Sequence, residues 1–258
     1  MFGFAAAVRA LGRDLGFVRL VIGGSVVLFI ASLALDPSGI SMGGFDLLAP
    51  SWKALFLLGG SGYESVFVFG RWWTLLSAGW LHGGGLLHIG FNMMWIRNLG
   101  PQTAEAYGAG RMVIIYTIAG VVGFLFSSLA LKFVPFIPVL GSVLGFLGLA
   151  GAWRTTGASA PIFGLLGALL YYGRRTGHQA VYRETMGYAV ILGLFGLVFP
   201  HVDNQAHLGG LVGGYLAARY LDPLSPERGD HLLIAVICLA ATALAIIVSL
   251  VAGLRYVT

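Results

Sequence analysis

Two apolar, glycine-rich stretches carry a serine and a histidine, the residue types that nucleophilic catalysis needs. Ser159 lies in T-G-A-S-A-P-I-F-G, residues 156–164, and His207 lies in N-Q-A-H-L-G-G-L-V-G-G-Y, residues 204–215. A serine hydroxyl is a weak nucleophile until a neighbouring base takes its proton, and an imidazole can serve as that base. If the fold brings the two side chains together, they form a Ser–His dyad suited to acyl transfer.

A third stretch, H-G-G-G-L-L-H-I-G-F-N-M-M-W at residues 82–95, carries polar side chains in an otherwise apolar run. His88 and Asn92 are four residues apart and therefore share one face of a helix. Both can donate hydrogen bonds, and two such donors suit the oxygen that becomes negative in acyl transfer. The alternative is that each side chain simply bonds to a neighbouring helix. His82 is expected to be an interfacial histidine, and a supporting role in the site is the second possibility.

The spacing around the serine and the histidine predicts a close helix contact. Phe163 follows Ser159 by four residues, so the two share a helix face. His207, Gly210 and Gly214 fall at i, i+3 and i+7, and the Gly-x-x-x-Gly spacing permits very close approach of a second helix. If that neighbour is the helix that begins near Ser159, the imidazole reaches the hydroxyl.

Simpler interpretations of the same residues stay open at this point. A serine at a helix start, here just after Gly157, is most often only an N-cap. Asp203, four residues before His207, either orients the imidazole or faces solvent. Because the sequence offers the histidine no clearly buried acid, we expect a dyad rather than a triad.

The composition identifies the elements that must position these side chains. Of the 258 residues, 58% are hydrophobic and only 10% are charged, and the mean hydropathy is +0.88. A soluble domain carries about 25% charged residues, so the sequence predicts an all-α polytopic membrane helix bundle. No basic cluster with interleaved aromatics lies outside the apolar runs, which excludes a nucleic-acid partner. The single cysteine, Cys238, excludes an internal disulfide, and we expect no metal and no cofactor.

Seven apolar runs are long enough, or nearly so, to cross a bilayer, which takes about 20 residues. Between the first two lies a long aromatic loop, 36–79, expected to pack partly at the membrane interface. A further apolar segment, 133–156, is interrupted by Pro135, Pro138 and several glycines, and is interpreted as re-entrant or interfacial instead of an eighth span. The predicted spans are 17–35, 80–98, 112–131, 157–173, 187–200 (beginning as early as Tyr182), 204–220 and 231–253.

Arginine and lysine placement predicts the orientation. With the N-terminus inside and seven spans, the inside segments carry ten of these residues and the outside segments carry five. Loops on the inner side of a membrane are enriched in positive charge, so we expect the N-terminus inside and the C-terminus outside. His82, Ser159 and His207 then lie at one depth, in the outer leaflet.

Taken together, the three stretches resemble the rhomboid family of intramembrane serine proteases. The resemblance spans about residues 66–221 and consists of H-I-G-F-N at 88–92, G-A-S-A at 157–160 and A-H-L-G-G-L-V-G-G at 206–214. Between the second and third spans, Gly100, Glu105, Gly108 and Arg111 also resemble the family's inner loop.

What the resemblance implies is a six-helix core with a cavity that opens outward, here with one extra C-terminal helix. It assigns Ser159 as nucleophile and His207 as general base and acid. His88, Asn92 and the Ser159 backbone N–H would form the oxyanion hole. An aromatic ring at Phe163 would pack on the histidine, and His82, Gly157 and Gly210 are possible supporting residues.

This chain departs from the family pattern in four places. Ala160-Pro161 follows the serine where the family commonly has glycine, and Trp73 is followed by threonine in place of arginine. The connection from Gly108 to Ser159 is long, and the two histidines of the second span are one residue further apart than usual. These departures bear on substrate access and rate.

The sequence therefore predicts three parts and one preferred function. The parts are an N-terminal cytoplasmic segment 1–19, a six-helix protease domain 20–221, and a linker with the seventh helix at 222–258. The expected function is an endopeptidase acting on transmembrane protein substrates, in a bacterial inner membrane with the site facing outward. The alternatives are a catalytically silent relative that binds transmembrane helices, and a transporter or channel, for which the sequence has neither inverted repeats nor an intramembrane carboxylate. The sequence lacks the residues that other intramembrane proteases need, such as the H-E-x-x-H motif of zinc enzymes.

Overall fold

The computed structural model describes residues 12–146, 149–199 and 202–256. Residues 1–11, most of the predicted N-terminal segment, lie outside the described residues. The regular structure is helical, and it consists of α1 (Phe17–Leu35), α2 (Trp52–Leu58), α3 (Thr74–Ser77), α4 (Gly85–Tyr107), α5 (Ala109–Phe133), α6 (Leu140–Phe146), α7 (Ser159–Thr176), α8 (Gln179–Val198), α9 (Asn204–Tyr220) and α10 (Gly229–Leu254).

The long helices, α1, α4, α5, α7, α8, α9 and α10, coincide with the seven predicted spans. Four segments of the described chain are long and apolar enough by themselves to cross a membrane: Phe17–Leu35, Ala109–Phe136, Gln179–Val198 and Gly229–Leu254. Their outward faces are apolar, with Val27 and Leu233 both more than 60% exposed. The protein is a helical bundle that crosses the membrane several times, as predicted.

The three remaining long helices, α4, α7 and α9, carry the candidate site residues. Helix α7 is the central one, and its residues from Ala160 to Leu170 are all buried. A helix surrounded by protein does not need a uniformly apolar surface, because its polar groups can bond to neighbours in place of lipid. The moderate hydropathy of α7 is therefore explained by its place inside the bundle, whereas α4 and α9 also expose apolar residues such as Leu87 and Leu208.

Helices α7 and α9 approach each other through small residues. A Cβ placed on Gly210 would lie 2.1 Å from the carbonyl oxygen of Ala160, and one on Gly214 would lie 2.1 Å from that of Gly164. Only glycine permits this separation, so the backbones of the two helices are in direct contact. The predicted Gly-x-x-x-Gly contact is confirmed, and its partner is the helix that begins at Ser159.

The long loop between α1 and α4 packs against the C-terminal helix. Arg71 is 1% exposed, and its guanidinium donates to the carbonyl of Phe56 at 2.8 Å and to that of Ser249 on α10 at 3.0 Å. The indole of Trp73 donates to the Ser249 hydroxyl at 2.9 Å. Helix α10 is thus held against the loop by hydrogen bonds as well as by apolar contacts.

Two predicted spans had wrong boundaries. The second span begins at Gly85 instead of residue 80 and runs on to Tyr107, because Gly85 adopts a φ of +71° that interrupts a helix. The fifth begins at Gln179, earlier than predicted, since its first turns are polar and carry no apolar signal.

The segment 133–156 does not form a spanning helix in its described part, 133–146 and 149–156. Its one α-helix, α6, has 7 residues, and at 1.5 Å per residue it reaches about 10 Å, against roughly 30 Å for a bilayer core. The prediction that this segment does not span is confirmed. Its interfacial position stays a prediction, as does the N-terminus-inside orientation.

Candidate active site

Ser159 and His207 meet where α7 and α9 cross. The His207 Nε2 atom lies 2.8 Å from the Ser159 Oγ atom, a hydrogen-bonding distance. Ser159 is the first residue of α7. The N-cap of this helix is Ala158, and no side-chain hydrogen bond caps the helix start. The simpler interpretation of Ser159 as an N-cap is therefore wrong, and the hydroxyl is directed to the imidazole.

The imidazole is held in place by aromatic stacking. The Phe163 ring lies parallel to the His207 ring, with a centroid separation of 4.3 Å and an angle of 12°. Phe163 is on α7, one turn after the serine, so one helix carries both the partner of the imidazole and the surface on which it rests. His207 is only 8% exposed, which leaves its ring little freedom to turn away.

No carboxylate orients the imidazole in the part of the chain that the structure describes, where His207 Nδ1 has no hydrogen-bond partner. Asp203 has another task. Its Oδ1 atom accepts from the backbone N–H of Ala206 at 3.0 Å and from the hydroxyl of Ser127 at 2.7 Å. It therefore caps α9 and joins it to α5. Of the two roles expected for Asp203, orienting the histidine or facing solvent, it has neither.

His88 lies near the residues that lead into the serine. Its Nδ1 atom accepts from the backbone N–H of Gly84 at 3.1 Å, so the ring proton resides on Nε2. A Cβ placed on Gly157 would lie 2.8 Å from His88 Nε2 and 3.6 Å from Ser159 Oγ. The His88 ring and the Ser159 hydroxyl thus both lie beside Gly157, where any side chain would collide with the imidazole. That residue has a φ of +137°, which favours glycine.

Asn92 lies one turn further along α4 and is 5% exposed. Its amide nitrogen donates to the carbonyl of His88 at 2.8 Å. An amide nitrogen has two hydrogens, so this bond uses one and orients the other. The structure therefore brings His88, Asn92, Ser159 and His207 into one region of the bundle.

His82 lies before α4, in the connection to the helix, and its exposure is 0%. The prediction that it is an interfacial histidine is wrong, because its ring is enclosed by protein. The backbone N–H of Ala158 donates to its Nε2 at 3.5 Å, and its ring centroid lies 5.2 Å from that of His88. His82 thus packs between the residue before the serine and the His88 ring. Within the described ranges, no three His, Cys, Asp or Glu residues are placed to bind a metal.

Sequence reasoning missed the residues that hold the chain just before Ser159. The Thr156 hydroxyl accepts from the backbone N–H of Gly83 at 3.0 Å, and Arg154 forms an ion pair with Glu64. The only signal in the sequence was the place of Thr156 and Arg154 shortly before the serine. Nothing in a sequence pattern identifies partners that are 73 and 90 positions away.

Comparison with known proteins shows the family to which the chain is similar. Residues 70–223 match the Rhomboid domain family. The chain is 33% identical over 187 residues to "Rhomboid protease GluP" of Bacillus subtilis (strain 168), covering 70% of this chain and 32% of that protein. It is 32% identical over 178 residues to "RHOMBOID-like protein 4" of Arabidopsis thaliana, covering 66% of this chain and 39% of the relative.

A third relative has a name that bears on activity. The chain is 28% identical over 221 residues to "Inactive RHOMBOID-like protein 8" of Arabidopsis thaliana, which covers 79% of this chain and 58% of that protein. The chain therefore spans between about a third and three fifths of the length of these three curated relatives.

Proposed function

The chain belongs to the rhomboid family, and from that premise we propose that it is an intramembrane serine endopeptidase that works through a Ser159–His207 dyad. The observation that carries the proposal is the 2.8 Å contact between His207 Nε2 and Ser159 Oγ. This contact lies inside a membrane helix bundle, where an intramembrane ionisable side chain has a functional role by default.

The chemistry follows from the two side chains. Neutral His207 takes the proton of the Ser159 hydroxyl as the oxygen attacks the carbonyl carbon of a peptide bond. The tetrahedral intermediate collapses, and the imidazolium returns the proton to the leaving amine. Water then attacks the acyl-enzyme, His207 takes the water proton, and the serine oxygen leaves with that proton to regenerate the dyad.

The negative oxygen of the intermediate needs donors, and three groups are proposed to supply them. These are the Nε2–H of His88, the free amide hydrogen of Asn92 and the backbone N–H of Ser159. The last is one of the first N–H groups of α7, which have no carbonyl one turn earlier to bond. Donors already oriented in a site that excludes bulk water stabilise developing charge without reorganising.

The proposed substrates are transmembrane segments of other proteins. A peptide bond inside a regular helix has its backbone groups paired, so a substrate must unwind locally before Ser159 can reach it. The site lies at one end of the bundle, near the starts of α4, α7 and α9. The positive-inside distribution of arginine and lysine supports an orientation with this end outward, and we propose a bacterial inner membrane.

The second candidate is a catalytically silent rhomboid-like protein that binds transmembrane helices. It is favoured by the relative named inactive and by Ala160-Pro161 after the serine. However, Pro161 lies in the first turn of α7, where its missing N–H is no loss. Ala160 has no exposed surface and faces Gly210. Ala160 therefore forms part of the contact with α9, and Pro161 packs near Gly79 and Gly120, so the structure gives neither residue a place that obstructs the serine.

A cleavage assay tests the proposal. The purified protein in proteoliposomes is given a fluorescently tagged transmembrane reporter, beside Ser159→Ala and His207→Ala. We expect product from the wild-type protein and none from either variant. Product at the wild-type rate from Ser159→Ala would refute the assignment of the nucleophile.

A further inference from the structure

The chain approaches Ser159 through an extended segment that is hydrogen-bonded along one edge to the long loop between α1 and α4. We define residues 152–157 as the approach segment. Ser61 and Thr155 exchange two backbone hydrogen bonds, of 3.1 and 2.9 Å. The backbone N–H groups of Tyr63 and Glu64 donate to the carbonyls of residues 152 and 153, each at 3.1 Å. The loop therefore sets the register of the segment that delivers the serine.

The same loop leads directly into the helix that carries His88. After pairing with the approach segment, the chain passes Ala78, whose carbonyl accepts from the Gly157 N–H at 3.0 Å. It then passes Gly83, which donates to the Thr156 hydroxyl, and enters α4. A shift of the approach segment against the loop would thus change the position of Ser159 relative to His88.

One side-chain cluster closes this arrangement, and we call it the clasp: Glu64, Arg154 and Trp52. Arg154 donates to both carboxylate oxygens of Glu64, from Nε and from Nη2, each at 2.8 Å. The indole of Trp52 donates to the same carboxylate at 2.6 Å, and the Arg154 guanidinium lies 5.2 Å from the Trp52 ring centroid. The clasp connects helix α2, the loop and the approach segment.

The clasp differs from an ordinary surface ion pair. Exposed pairs contribute little because water screens them, but the Glu64 side chain is only 11% exposed although that of Arg154 is 48% exposed. Bidentate hydrogen bonds between a guanidinium and a carboxylate are strong and fix the relative orientation of the two groups. Burial raises the pKa of the Glu64 carboxyl, but the hydrogen bonds from Arg154 and Trp52 outweigh it, and the pKa lies below its usual value. Glu64 is therefore a charged anchor at neutral pH.

We propose that Glu64 and Arg154 are positioning residues for the reaction: through the approach segment, the clasp fixes Ser159 against the His88 donor. This inference rests on the proposed function. Neither residue touches the reacting atoms, so the clasp acts on the rate of the chemical step and leaves substrate binding unchanged.

The test compares kcat and KM of four proteins in proteoliposomes with one transmembrane reporter. Glu64→Gln keeps the shape but presents an amide N–H₂ to the Arg154 donors, and we expect kcat to fall roughly tenfold, a tenth of the loss assigned to a full 1 Å misplacement. KM should stay unchanged, since a loss confined to kcat marks an interaction of the transition state. Arg154→Lys keeps the positive charge but loses the two parallel donors of the guanidinium. Its kcat should lie between that of the wild-type protein and that of Glu64→Gln.

The control is Asp230→Asn, which removes a carboxylate from an exposed pair with Arg228 at the start of α10 and should leave kcat unchanged. Wild-type kcat in Glu64→Gln, or a loss in that variant that appears in KM with kcat unchanged, would overturn the proposal.

Hydrogen exchange separates failure of this inference from failure of the proposed function. In Glu64→Gln the backbone amides of residues 152–158 should exchange faster than in the wild-type protein, because local opening becomes easier. If the wild-type protein cleaves nothing, the proposed function has failed, and the exchange rates alone then decide whether the clasp holds the segment. Unchanged exchange would contradict the clasp in either case.

Discussion

Substituting Gly210 with alanine should disable the site without touching any reacting group. The new Cβ would lie 2.1 Å from the carbonyl oxygen of Ala160, whereas ordinary contact begins at 3.4 Å. Both atoms belong to rigid helices, so α7 and α9 must separate by roughly 1 Å at this level, and a displacement of that size at reacting groups costs about a hundredfold in rate. The 2.8 Å contact between Ser159 and His207 spans the same crossing and would be broken.

The assay is kcat in proteoliposomes, with thermal unfolding as a check that the variant is folded. Gly193→Ala is the matched control, because a Cβ at this position of α8 meets nothing within 4 Å among the described residues; it should cleave at the wild-type rate. A folded Gly210→Ala protein with wild-type kcat would refute the claim that the direct backbone contact sets the geometry of the dyad.

Three further substitutions separate the parts of the account. Asn92→Ala should lower kcat by about 10²–10³-fold, the scale of a lost oxyanion donor, and normal turnover would place the hole elsewhere. Asp203→Ala should cost about 1 kcal/mol of stability through its lost cap on α9 and only a few-fold in kcat; a loss near 10⁴-fold, the scale of a triad acid, would contradict the dyad. Ser249→Ala removes the acceptor of the Trp73 indole and should cost about 1 kcal/mol of stability, measured as a Tm lower by roughly 2–4 °C with kcat unchanged; an unchanged Tm would mean that this bond does not hold α10.

The helices were predictable because lipid imposes a simple rule on sequence. Runs of about 20 apolar residues must be helical to satisfy their own backbone, and four segments of the described chain meet this rule by themselves. The runs that form α4, α7 and α9 are less apolar but were still long enough to be predicted as spans. The Gly210 and Gly214 spacing was also interpreted correctly, since it predicted that the backbone of a second helix lies close to α9. The boundaries were less predictable. Gly85 ends the regular pattern that placed His82 inside a helix, and the polar first turns of α8 carry no apolar signal.

The candidate site was predictable in its members and less so in their surroundings. Helical periodicity places His88 and Asn92 on one face of α4, Ser159 on one face of α7 with Phe163, and His207 on one face of α9 with Gly210. The burial of His82 was not predictable, because it depends on the loop that folds over this residue. The ion pair between Glu64 and Arg154 was equally out of reach, since it joins two loops and has no periodicity.

Asp203 illustrates a third difficulty. A single acid four residues before a histidine can orient it, cap the helix or face solvent, and the sequence does not distinguish these roles. The deciding fact is the Ser127 hydroxyl on α5, 2.7 Å from the carboxylate. A hydroxyl from a different helix is a property of the tertiary structure, and no pattern local to Asp203 encodes it.

The most direct test of the central claim is labelling with a fluorophosphonate probe, which forms a covalent bond only with an activated serine. The wild-type protein, Ser159→Ala and His207→Ala are incubated with the probe in the folded state, and the labelled peptide is identified by mass spectrometry. We expect label on the wild-type protein alone, on the peptide that contains Ser159. Absence of label on folded wild-type protein would favour the silent helix-binding relative, and label that persists in Ser159→Ala would contradict the dyad.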